Sequence, residues 1–436
     1  MDVTFSKFMS LVGIVVFIGL CFVLSNNRAA INKRVVAWGL GLQLIFAVLI
    51  LGIPMIGVPG VLAPLFKLVT KFFDALLSYT NAGTSFLFGS FTGDEHGFVF
   101  ALAALPTIVF LSALLGVLYH LGVMQFIVKG FAWLMHKTMR VSGAESLSAA
   151  ANVFVGQTEA PLLVRPFVQR MTNSELFCLM VGGMTTVAGS VLAVYVAMLS
   201  GFIPDIAGHL LTASVLSAPA AIMIAKVMIP ETEVAVTAEG VPDEMSEKID
   251  TNLIEAAARG ATDGMQLAFN VGAMLLAFVA LIFMVDSLLT MLGGFIGFNS
   301  WGTGMVADQL LQDGQANLTL AVIFSWLFAP VAFLMGVPWS ETGAAGALLG
   351  EKIAINEFVA YLHLSQIGPE LSERTVIILS YALCGFANFT SIAIQVGGIG
   401  AMAPDRRGDL AKLGIKSIIG GTLAAFITAC IANIFI

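Results

Sequence analysis

Apolar runs of about twenty residues recur along all 436 residues of the chain, far more than a soluble core can bury. A run of that length crosses the ~30 Å hydrocarbon layer as a helix, since each residue advances the axis by about 1.5 Å. Such segments lie near 8–25, 35–58, 98–124, 148–168, 175–203, 207–229, 262–292, 318–338, 374–403 and 411–436. The composition, 58% hydrophobic and 11% charged, agrees, and the chain reads as an all-α polytopic membrane protein. Asn26-Asn27-Arg28, not a small-residue cleavage site, follows the first run, which therefore reads as a retained span. In segment 61–79, Lys67, Lys71 and Asp74 interrupt apolar residues at helical spacing, which suits an interfacial helix lying along the bilayer. The net charge of −7 is concentrated between Pro230 and Glu255, in a stretch read as a solvated loop. Nothing resembles the basic surface of a nucleic-acid binder.

Positive charge decides which segments cross, because Lys and Arg gather on the cytoplasmic side. Arg28, Lys33 and Arg34 place the first loop inside and the N-terminus outside. Lys129, Lys137 and Arg140, and likewise Arg406, Arg407, Lys412 and Lys416, fall inside only if 148–168 and 318–338 each enter and return on one side. That topology puts 15 of the 20 Lys and Arg inside and leaves Lys7, Lys67, Lys71, Lys352 and Arg374 outside. The expectation is eight transmembrane helices plus two re-entrant helical hairpins of opposite entry side, with both termini outside. Each hairpin precedes two spans, so the halves form an inverted repeat, the architecture of secondary transporters. The expected division is 1–147 mainly scaffold, 148–229 the first half of a transport domain, 230–316 the acidic loop and a scaffold helix, and 317–436 the second half.

Polar side chains inside apolar runs mark the candidate site. Asn152-Val-Phe-Val155-Gly-Gln157-Thr158-Glu159-Ala-Pro161 forms the first tip, and Gly336-Val-Pro-Trp-Ser-Glu341 is read as the second. Irregular backbone at membrane depth survives only inside protein or beside a water-filled cavity. Intramembrane carboxylates are costly and by default mark a pathway, so Glu159 and Glu341 are the sharpest signals. An ion pair with Arg165 or Lys352 is the alternative, but Arg165 lies six residues beyond Glu159, past Pro161 and out of i,i+4 reach. Both hairpins lead into glycine-broken polar spans, Gly182 to Val191 and Gly385 to Ser391. Asn388, Ser391 and Gln395 share one helix face, where interhelical hydrogen bonding is the rival role. No Arg or Lys stands at either tip to clamp an anion, so the substrate reads as neutral, polar and rich in donors. The Asn152 side chain, carbonyls near Val155 and the Thr186 hydroxyl offer oxygens for a hard cation such as Na⁺, with H⁺ coupling through Glu159 or Glu341 as the rival. The four cysteines and five histidines show no ligand spacing. No phosphate loop, zinc-protease helix or serine elbow is present, so neither an enzyme nor an organic cofactor is expected.

Gly350-Glu-Lys352-Ile-Ala-Ile-Asn356-Glu357-Phe358-Val359-Ala360-Tyr361 meets every fixed position of G-x-K-x₃-N-E-F-V-A-Y, and so resembles the signature of the concentrative nucleoside transporters. The stretches at 156–161, 336–341 and 384–393 resemble that family too, and the similarity covers essentially the whole chain in its shorter bacterial form. The resemblance implies a homotrimer in the bacterial inner membrane that imports uridine and related nucleosides by an elevator motion, coupled to Na⁺ or H⁺. It implies that Gln157, Thr158 and Glu159 address the nucleobase with Val191 near it. Glu341, Asn388 and Ser391 would hold the ribose, and Phe386 would line the pocket. Asn152, Val155, Thr186 and Val187 match the family's sodium site, the valines through their carbonyls. Thr186 stands where a serine is usual, keeping the hydroxyl and adding a methyl. A symporter for another neutral polar solute, such as a nucleobase or an amino acid, is the alternative.

Overall fold

The computed structural model describes residues 2–53, 57–92, 99–103, 105–240, 250–311 and 314–436. Among these residues there is no strand, only an isolated bridge between Ile53 and Val58, and the fold is all-α as expected. The first helices are α1 (Val3–Val23), α2 (Lys33–Leu51) and α3 (Ala63–Phe88). Next come α4 (Leu105–His120), α5 (Val123–Met139), α6 (Gly143–Asn152), α7 (Asn173–Thr185), α8 (Gly189–Leu199) and α9 (Ile206–Met228). The remainder is α10 (Leu253–Phe295), α11 (Leu320–Leu334), α12 (Thr342–Ala354), α13 (Glu357–Ile367), α14 (Glu373–Leu383), α15 (Phe389–Met402) and α16 (Arg407–Phe435). Helices α1, α2, α9 and α10, the α7–α8 stretch and the α16 stretch are long and apolar enough to cross a membrane. Helix α4 bends by 77° into α5, so the expected third span ends at His120. The expected interfacial helix at 61–79 is part of the longer α3. Residues 241–249 of the acidic stretch, and His96, lie outside the described residues.

The first hairpin starts at Gly143, five residues before the expected 148, because Ser142 and Glu145 close a capping box there. It runs up α6, turns over Val153–Glu159 and returns through a 3₁₀ turn at Ala160–Val164 and a short helix to Val168. The second hairpin lies elsewhere than expected. Residues 318–338 hold the single helix α11, and the bend at Gly336–Pro338 joins it to α12. The hairpin is α12 and α13, folded back at Ile355-Asn356 so that Glu351 meets His363. Charge hid this segment from a hydropathy reading, since Glu351, Lys352 and Glu357 interrupt it.

The two halves correspond at a constant spacing of 200 residues. Thr172 and Ser372 cap α7 and α14, Ala188 and Asn388 begin α8 and α15, and Gln157 and Glu357 occupy the two tips. The lead helices α4 and α10 pack through small residues. A Cβ on Gly260 would lie 2.5 Å from the Ser112 carbonyl oxygen, and one on Gly264 2.8 Å from Val109 Cα. Charged clusters close each pole. At one pole the Lys226 ammonium, at the end of α9, contacts Glu145 on α6, Glu231 at 3.2 Å and the Ser174 hydroxyl on α7 at 2.8 Å. Burial pushes the Glu231 carboxyl up, but the Lys226 charge and hydrogen bonds from Thr172 and Glu233 outweigh it and hold it below the usual range. Arg34 and Arg406 bond backbone carbonyls at this same pole. At the opposite pole Arg374 on α14 bonds Asn433 on α16, whose amide donates to Ser6 and Ser10 of α1.

Breaking a buried pair leaves one charge uncompensated at a cost of about 3–5 kcal/mol. Lys226→Met should therefore lower the melting temperature of the purified protein sharply, and adding Glu145→Gln should recover part of the loss. A single variant melting like wild type would show that the cluster does not secure the hairpin.

Candidate functional site

The tip of the first hairpin lies against the break between α7 and α8. The Phe154 carbonyl accepts the Gly189 N–H at 2.9 Å, and a Cβ on Gly182 would lie 3.1 Å from Asn152 Nδ2. Gly183 lies closer still to the tip, with Gln157 Cβ 2.8 Å from where its own Cβ would be. Glycine is required at this approach because any side chain would displace the tip.

Beneath this contact runs a buried polar chain joining both hairpins to both broken spans. Gln157 Nε2 donates to Ser391 Oγ at 3.0 Å, and Asn388 Oδ1 accepts the Ser391 N–H at 2.9 Å as the cap of α15. Asn388 Nδ2 donates to Glu357 Oε2 at 2.9 Å, and Tyr195 Oη donates to Glu357 Oε1 at 3.1 Å. Gln395, on the Asn388–Ser391 face, donates to the Met180 carbonyl at 3.0 Å. Gln157 Oε1 and Gln395 Oε1 are buried and have no partner among the described residues. Such acceptors cost about 1–3 kcal/mol each unless a guest supplies the donor. Val191 is buried on the first turn of α8, and Phe386 is half-buried in the α14–α15 break.

Glu341 is not part of this chain. It stands at the start of α12, where its carboxylate accepts the Ser372 N–H at 3.2 Å and hydroxyl at 2.8 Å, so that it anchors the residue that caps α14. The carboxylate at the second tip is Glu357, which the sequence reading carries within the signature and gives no role. Its signal was available: an ionisable residue close to Lys352 within an otherwise apolar stretch, three residues beyond Ala354, where α12 ends. Tyr195 was also missed, and no pattern in the sequence marks it.

Thr158 and Glu159 face a different space, a cavity of about 460 Å³ between the first tip and the α4–α10 pair. Ser112, Tyr119, Ser190 and Gln266 also line it, and His120 at the end of α4 and the ion-paired Asp250 and Arg259 at the start of α10 stand at its rim. The volume falls in the range of small-molecule pockets.

The oxygen groups expected for a cation lie on the two segments that meet at the tip-to-break contact. Asn152 is 1% exposed, and neither polar atom of its amide has a partner among the described residues. The Thr186 hydroxyl donates to the Gly182 carbonyl at 3.2 Å, which leaves its lone pairs free. The Val155 and Val187 carbonyls accept no hydrogen bond among the described residues. An orphaned buried amide, free carbonyls and a hydroxyl on these two segments make a donor set whose chemistry fits a hard monovalent cation.

Comparison with known proteins gives this arrangement a family. Residues 209–433 match the model described as the C-terminus of Na⁺ dependent nucleoside transporters, 12–91 match its N-terminal counterpart, and 101–202 match a nucleoside-recognition "Gate" model. An uncharacterized transporter of Haemophilus influenzae is 46% identical over 435 residues, covering 98% of this chain and 97% of its own. The structure of CNTnw in an inward-facing substrate-bound state superposes with a TM-score of 0.86 at 44% identity, covering 99% of this chain and 98% of that one. A CNTnw double variant in an outward-facing state gives a TM-score of 0.88 at 43% identity, covering 100% and 99%. The chain is a polytopic membrane protein that belongs to the concentrative nucleoside transporter family.

Proposed function

We propose that this protein is a Na⁺-coupled nucleoside importer of the bacterial inner membrane, with ribose held by Glu357, Asn388 and Ser391. The observation that carries the reading is the buried chain Gln157–Ser391–Asn388–Glu357, which links the two tips through groups suited to vicinal hydroxyls. A carboxylate accepts from two hydroxyls at once, and the Asn388 amide orients it without adding charge. On binding, the ribose takes over the bonds that Gln157 and Ser391 now make to one another. Gln157, Thr158 and Glu159 would address the base, with Val191 and Phe386 packing against it. Glu341 is left with its role of anchoring Ser372.

Coupling follows from the shared loop. Asn152 and Val155 would supply oxygens to Na⁺ and Gln157 to Glu159 meet the nucleoside, all within eight residues of one turn. A cation that orders this turn lowers the entropic cost of binding the second guest, which gives positive coupling without direct contact. Thr186 and Val187 complete the ion site from the broken span.

Alternating access would be an elevator motion of the two hairpins with their broken spans against α4 and α10. The glycine-mediated α4–α10 contact supports a rigid scaffold, and α10, 43 residues long and mostly exposed apart from that contact, suits the trimer interface and lipid. The pole bearing Arg34, Lys226 and Arg406 would face the cytoplasm, with both termini outside.

In proteoliposomes, replacing external Na⁺ by choline at fixed pH should stop uridine uptake; uptake that instead follows a proton gradient would move the coupling to H⁺. Glu357→Gln should raise the uridine concentration for half-maximal uptake by roughly 10–100-fold, the cost of one unmade bond to a charged group. Glu341→Gln should leave that concentration near wild type, and the reverse ranking would return the ribose to Glu341. Free uracil should compete with labelled uridine far less well than other nucleosides do; equal competition would point to a nucleobase symporter.

A further inference from the structure

The 200-residue correspondence places Lys352 on Asn152. Both lie in the last turn of the first helix of their hairpin, α12 and α6, and both are buried. The Lys352 ammonium donates to the Ala382 carbonyl at 3.0 Å. Ala382 is the counterpart of Gly182, the residue that lies against Asn152 and whose carbonyl accepts the Thr186 hydroxyl. In each half, therefore, the end of a hairpin helix meets the end of a broken-span helix. Helix C-termini carry unsatisfied carbonyls and partial negative charge, so each meeting point attracts a cation. In the first half the side chains there are neutral, and the Asn152 amide is unpartnered among the described residues. In the second half the chain delivers its own ammonium.

The other ligand positions differ in the same sense. Thr186 corresponds to Phe386 and Val187 to Ala387, so the second half lacks the hydroxyl that a metal ion would use. Lys352 is 0% exposed and, among the described residues, forms no salt bridge with a carboxylate. The Glu357 carboxylate attracts this ammonium from beyond ion-pair distance, and the Ala382 carbonyl accepts its direct hydrogen bond, which together offset the cost of burying the charge.

We infer that Lys352 is a tethered cation filling the second half's counterpart of the ion pocket, so that only the first half takes up an inorganic ion. This deepens the sodium reading given above and rests on it. The repeat then carries two symmetric positive charges when loaded, one exchangeable and one covalent. The coupling ratio it sets is one Na⁺ per nucleoside.

Two measurements test it. For wild type in proteoliposomes, the membrane potential at which labelled-uridine flux reverses under a fixed Na⁺ gradient reports the ratio. A ratio of one is expected, and a ratio of two overturns the assignment. The second compares purified wild type with the Lys352→Asn/Phe386→Thr double variant, which restores both the amide and the hydroxyl of the first half, by thermal shift in NaCl against choline chloride. The variant should gain a second Na⁺-binding event, its stabilisation rising with the logarithm of Na⁺ concentration at about twice the wild-type slope. A folded variant with an unchanged curve also overturns the assignment. If the variant does not fold, the wild-type ratio alone decides. Wild type with no Na⁺ response in either measurement refutes the sodium site itself, a result distinct from a ratio of two.

Discussion

Backbone carbonyls and N–H groups that face neither water nor a helical partner cost several kcal/mol each in hydrocarbon, and the fold is built around the places where this cost is incurred. The α7–α8 and α14–α15 spans both break at mid-length, and both hairpins turn inside the protein. Every break exposes helix ends that something else must satisfy. Side chains do part of this work, as where Asn388 caps α15 and Asn356 caps α13. The Asn152 amide and Gln157 Oε1 are left without a partner among the described residues.

The repeat of hairpin and broken span turns this requirement into a device. Because each half ends a hairpin helix against a broken span, each generates one polar tip and one electronegative meeting point. The first tip bonds the broken span of the second half through Gln157 and Ser391, so the polar groups come from both halves. The meeting points have diverged, one lined by neutral oxygens and the other by the Lys352 ammonium. Symmetry of backbone with asymmetry of side chain lets one scaffold offer different chemistry at equivalent places.

Rigidity at the poles complements the broken middle. The Lys226 cluster ties the base of the first hairpin to α7 and α9, and the Arg374–Asn433 bonds tie α14, α16 and α1. Glu341 belongs to that second set, bonding Ser372 at the base of α14. A carboxylate at a hairpin base stabilises the frame, whereas in the reading proposed above the same group at a tip meets the ribose. Its position along the hairpin, and not its presence in an apolar neighbourhood, separates the two roles.

The chain's own pattern of apolar length determined the all-α class and the polytopic membrane character, since hydrocarbon thickness acts on local sequence. It also determined the polar tip at 152–161, where glycine and proline bracket groups that cannot be left in lipid. It could not place the second hairpin. Residues 318–338 are more apolar than 342–367, and only packing of α12 on α11, through Gly346 and Gly350, shows which of them turns inside the protein. The separation of Glu341 from the Glu357 chain, the contact made by Tyr195, and the equivalence of Lys352 with Asn152 were likewise decided by tertiary structure. Each depends on residues tens to hundreds of positions apart meeting across the repeat, and no local propensity encodes such a meeting.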